Sequence, residues 1–119
     1  MTRLSERDIQ AAVNRHRARN RELKELIESK GVDLGAMRFI DLHFWAFGPE
    51  AAAKLAVALE AEGYSPVSKN PSLSDSALWN VETQVESNPL AITSSAYVEK
   101  LVRLAAENRG EFDGWGTSL

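Results

Sequence analysis

The chain has 119 residues, of which 44% are apolar and 26% charged, with no cysteine, two histidines and a formal net charge of −3. This is length enough for one domain with one core. It excludes disulfides, leaves only His16 and His43 as nitrogen ligands for a structural zinc site, and contains no run near the ~20 apolar residues of a membrane span or a signal-like leader. The expected compartment is therefore the cytoplasm. The charge is unevenly placed: residues 1–30 hold eight Lys/Arg against five Asp/Glu, and residues 31–119 hold six against twelve. A basic arm of +3 joined to an acidic body of −6 is the kind of split that marks an interaction segment.

Ser5 followed by Asp8 reads as an N-cap, and residues 6–30 are helix formers without Gly or Pro until Gly31. The predicted organisation is a basic N-terminal helix over 1–31 and an α+β domain over 32–119, together one domain. Along the helix, Ile9, Val13, His16, Asn20, Leu23 and Ile27 form a heptad seam with a polar middle. Two readings fit it. Either the ends pack on the body and the middle is solvated, or the helix projects or pairs with a second copy, Asn20 setting the register.

Residues 37–47 are the best strand candidate, with Ile40, Leu42, Phe44 and Ala46 as the core face and Phe39, Asp41, His43, Trp45 and Phe47 as an amphipathic outer face. Pro49 opens an Ala-rich helix whose stripe is Ala52, Leu55, Ala56 and Leu59, ending at Gly63. Residues 64–67 read as a short strand, in which Pro66 implies an edge or an early position, and 70–75 as a loop. Residues 77–86 alternate strictly, so they form a strand with one buried face. Ser87-Asn88-Pro89 breaks it. Thr93 or Ser94 caps a helix to about Asn108, with Val98, Leu101, Val102 and Ala105 inward, and Gly110 stops it. Residues 111–118 make a last short strand or turn around Trp115. After the first helix the order is β-α-β-β-α-β. The predicted class is α+β, a ferredoxin-like sandwich with an additional long N-terminal helix. Its second sheet face is left for that helix, for a partner or for water.

No nucleophile constellation and no phosphate loop is present, so no catalytic residue is assigned and no metal or other cofactor is expected. His43 beside Asp41 is the one acid–base pair, and on a strand face such pairs are mostly structural. Arg15, Arg17, Arg19 and Arg21, extended by Lys24, spread around the helix axis. They fit either a solvated helix countered by Glu22 and Glu25, or contact with an acidic protein surface or RNA phosphates. Trp45 with Phe47, opposite a strand carrying Trp79, offers a base-stacking platform, but Asp41, Glu82 and Glu86 on or near that sheet repel phosphates.

The closing Phe112-Asp113-Gly114-Trp115-Gly116-Thr117 resembles the signature of the bacterial regulator of ribonuclease E activity B family. The likeness extends to Leu23–Asp33, to Ile40-Asp41-Leu42-His43-Phe44, to the helix end Glu62-Gly63-Tyr64, and to the spacing from Val98-Glu99-Lys100-Leu101 to the motif, covering roughly residues 22–117. It differs from enteric-type members in its basic first helix and in ending at Leu119, where they continue into a long acidic tail. The resemblance implies a ferredoxin-like fold and a non-enzymatic protein that binds ribonuclease E and inhibits or remodels RNA decay. The expected partner is a protein, ribonuclease E or similar. An RNA- or protein-binding module using the basic helix is the alternative, and a homodimer through the seam or a strand edge is a further association. His43, Trp45, Arg15, Arg17, Arg19 and Arg21 are the candidate contacts. Asp113, Gly114, Trp115 and Gly116 are read as structural, with Trp115 anchoring the last strand.

Overall fold

The computed structural model describes residues 5–75 and 77–118. α1 runs Glu6–Ser29 and opens on a full capping box: the Ser5 hydroxyl accepts from the Asp8 amide, and the Asp8 carboxylate accepts from the Ser5 amide. β1 (Arg38–Ala46) leads into α2 (Pro49–Ala61), with Pro49 in the first turn where its missing N–H costs nothing. β2 (Val67–Pro71) and β3 (Trp79–Ser87) follow, then a single turn α3 (Pro89–Ile92), α4 (Ser95–Glu107) and β4 (Gly110–Gly116).

The strands make one antiparallel sheet in the order β2-β3-β1-β4. Alternation sends Ile40, Leu42, Phe44 and Ala46 of β1, with Val81 and Thr83 of β3, to one face, where all are buried. Leu55 and Leu59 of α2 and Val98, Leu101 and Ala105 of α4 close that face in a single cluster, and Ile9, Val13 and Ile27 of α1 belong to the same cluster. α1 packs along α4 beside β4, with the other helices. It does not cover the second sheet face, which the sequence had left open to it. The seam is turned inward along its length, polar middle included, so it is neither solvated at its centre nor free to pair with a second copy.

Two element boundaries moved. The strand expected at 64–67 lies at Val67–Pro71, through residues whose composition indicated a loop. Tyr64 is held instead against α4, where its hydroxyl hydrogen-bonds that of Tyr97, and Pro71 is tolerated because β2 is an edge strand. The Ser87-Asn88-Pro89 break leads into the one-turn α3, nucleated when the Asn88 side chain accepts from the Ala91 amide at 2.9 Å.

β4 carries the feature that shapes the rest. Phe112 lies opposite Phe44 and Trp115 opposite Leu42, with a register shift between His43 and Phe44. Residues three apart in a regular strand point to opposite faces. The extra residue of a bulge at Asp113-Gly114 brings both aromatic rings to the core side, where Phe112 stands 5.2 Å from Phe44, centroid to centroid. Gly114 takes φ +131°, a conformation closed to most side chains. Gly110 has a different constraint: a Cβ there would lie 2.4 Å from the Trp45 carbonyl oxygen.

Candidate functional site

The bulged strand meets α1 through three polar side chains. The Trp115 indole N–H donates to Asn20 Oδ1 at 2.8 Å, with Trp115 7% and Asn20 3% exposed. His16 Nε2 lies 2.9 Å from the Phe112 carbonyl oxygen; a carbonyl only accepts, so this nitrogen carries the proton. Arg19 donates to the Asp113 carbonyl at 2.9 Å, its guanidinium packed where a Gly114 side chain would be. Burial holds the His16 imidazole below its ordinary range; the bond to Phe112 and the Asp113 charge oppose this, and Arg19 and Arg15 reinforce it. β4 is an edge strand, and an edge with free carbonyls invites another strand. His16 and Arg19 occupy two of those carbonyls. Heptad positions filled by His and Asn were the available sequence signal, since polar groups on a buried stripe need partners. The partners were not visible, because they lie 94 to 96 residues away.

The other face of the sheet is differently built. Phe39, Asp41, His43 and Trp45 point away from the helices, and Phe39 is 61% exposed. His43 Nδ1 donates to Glu82 Oε2 at 2.7 Å across the strands, both side chains remaining about 40% exposed. Asp41 does not serve His43: its Oδ1 accepts from Gln84 Nε2 at 3.0 Å. The acid–base pair that the sequence offered is thus split between two separate cross-strand contacts. Glu86 stands opposite Phe39, and Glu111 opposite Trp45. The stacking platform is also corrected. Trp79 pairs with Ala46 and lies on the core face, while Trp45 lies on the outer one, so the two rings share no surface. Phe47 falls beyond the end of β1.

The candidate contacts therefore fall into two groups. His43 and Trp45 share the outer sheet face. Arg15, Arg17, Arg19 and Arg21 are exposed on α1, behind the sheet. Arg15 and Arg19 are one turn apart on the side toward β4, and Arg17 and Arg21 are one turn apart on the other side. Arg15, His16 and Arg19 line a hollow of about 300 Å³ with Glu111, Phe112 and Asp113. Of the four arginines, Arg19 is committed to the β4 backbone.

Fold and site together define a small α+β protein whose helices, among the described residues, cover one face of an antiparallel sheet and not the other. No helix among the described residues is long and apolar enough to cross a membrane. The family described as Regulator of ribonuclease activity B, RraB, matches residues 17–117 of the chain. The protein belongs to that family, whose name denotes regulation of ribonuclease activity and so a partner of the ribonuclease kind. No curated protein matches the chain.

Proposed function

We propose that this is a non-enzymatic cytoplasmic protein that binds a ribonuclease of the ribonuclease E type and modulates RNA decay, making contact through its outer sheet face. The strand order, with both long sheet-covering helices on one side, supports the ferredoxin-like reading of the fold. The observation that carries the contact surface is that α1, α2 and α4 all serve the core side. Among the described residues no helix covers the other side, so the central strand β1 turns Phe39, His43 and Trp45 outward there. Asp113, Gly114 and Trp115 act as the joint that locks the edge strand to α1, and Gly116 continues the strand beside Asp41.

The test is a pull-down with the cognate ribonuclease E beside a cleavage assay. Retention at micromolar protein with altered cleavage is expected; neither retention nor any effect on cleavage removes the proposal. One observation favours a second reading, contact with RNA: Arg15, Arg17 and Arg21 are exposed on one helix. It requires association that weakens steeply with salt and when these side chains are neutralised. Light scattering decides whether two copies associate at the β2 edge.

A further inference from the structure

We propose that the outer sheet face takes a cationic segment of the partner protein, an arginine-rich stretch laid along β1. The inference rests on the partner-binding reading above and adds the chemistry of what is bound.

The register of the sheet carries it. Each ring that β1 turns outward has a carboxylate as a direct cross-strand neighbour: Phe39 faces Glu86, His43 faces Glu82 and Trp45 faces Glu111. Directly paired side chains in an antiparallel sheet are about 5 Å apart at Cβ. The face is thus a row of ring–carboxylate pairs. A guanidinium meets both members of such a pair, stacking flat on the ring and hydrogen-bonding the acid at its edge. His43 fixes the Glu82 carboxylate through Oε2, so one acid of the row is already oriented.

The neighbouring strand leaves room. Opposite Asp41, β4 has Gly116, which carries no side chain to stand over β1. Charge then selects the occupant. Asp41, Glu82 and Glu86 belong to this face and Glu111 stands at its β4 edge, where it also borders the hollow with Arg15; these acids repel phosphates as strongly as they attract guanidinium groups. An RNA ligand is therefore the disfavoured occupant of this surface, and a basic protein segment the complementary one.

The experiment uses the full chain, a fluorescein-labelled oligo-arginine peptide, a labelled RNA oligonucleotide and the cognate ribonuclease E. Glu82→Gln/Glu86→Gln and Trp45→Ala alter the face. Glu60→Gln/Glu107→Gln removes the same charge from exposed positions on α2 and α4. The peptide is expected to bind the wild type and the helix-side variant alike, and to bind each face variant at least about tenfold more weakly. Equal binding by wild type and face variants overturns the inference, as does an RNA oligonucleotide whose binding the face variants weaken. The ribonuclease arm separates the two readings. A ribonuclease that binds the wild type and the face variants equally overturns the inference and leaves the proposed function standing. One that fails to bind at all, while the peptide still discriminates, removes the proposed partner and leaves the inference standing.

Discussion

Trp115 and Asn20 are 95 residues apart in the chain and joined by a buried hydrogen bond of 2.8 Å. The bond ties the last strand to the middle of the first helix. Around it His16 and Arg19 hold the two carbonyls that precede Gly114, so one turn and a half of α1 reads the whole bulge.

Replacing Asn20 with Ala leaves a buried indole N–H unmade, at a cost of about 1–3 kcal/mol. Trp115→Phe removes the donor itself. In the Asn20→Ala/Trp115→Phe cycle the two losses are expected to be less than additive, with a coupling of about 0.5–3 kcal/mol. Urea denaturation of the four proteins measures it; strict additivity would show that the bond contributes nothing.

The glycines of β4 have different reasons to be there, and alanine substitution should rank them. Gly110→Ala drives a Cβ to 2.4 Å from a backbone oxygen that cannot move without β1, costing about 1–3 kcal/mol. Gly114→Ala is strained at φ +131° and meets the Arg19 guanidinium at 3.2 Å, the far end of a flexible side chain; its cost is about 1–2 kcal/mol. At Gly116 the nearest atom is His43 Nε2 at 3.9 Å, so Gly116→Ala should stay within about 0.5 kcal/mol. Thermal melts of the three variants give the order directly.

His16 makes stability depend on pH. Its folded-state pKa lies below the ordinary 6.5, chiefly because burial disfavours the imidazolium. Between the lowered value and 6.5 the unfolded chain binds the extra proton and the folded one does not. The stabilisation is thus fully present above about pH 6.5 and is lost as pH falls through the folded-state pKa. Denaturation midpoints should drop from about pH 7.5 to about pH 5, and His16→Gln should flatten that drop. An imidazole titration by NMR at or above the ordinary value would contradict the assignment.

Arg103 on α4 holds both oxygens of Glu6, at 2.7 and 2.9 Å, and Glu99 one turn away, at 3.0 Å. These contacts depress the Glu6 carboxyl's pKa. The group is at the surface, so the effect of Arg103→Met should be local. Amide exchange is expected to quicken in the first turn of α1, while the global unfolding midpoint barely moves.

Much of the architecture was legible because it is written in local patterns. The Ser5–Asp8 cap, the Pro49 helix start, the alternation through Val81 and Thr83 and the inward stripe of α4 are each set within a few residues of themselves. What failed was set by distant partners. The 64–67 strand moved because Tyr64 is held by Tyr97, and the Trp45–Trp79 platform failed because register placed Trp79 opposite Ala46. The same register split Asp41 from His43 and gave His43 to Glu82. None of these pairings has a local signature.

The sequence alone determined the element types, the core stripes and the family, because periodicity, capping residues and a spaced motif are properties of short stretches of chain. Only the tertiary structure decided what the polar residues do. A hydrogen bond to Asn20 or His16 exists only when a bulge has turned Phe112 and Trp115 to one side. The acidic neighbours of Phe39, His43 and Trp45 likewise exist only once strands are aligned. Side-chain period fixes which residues share a face, whereas pairing across strands fixes which charges they meet.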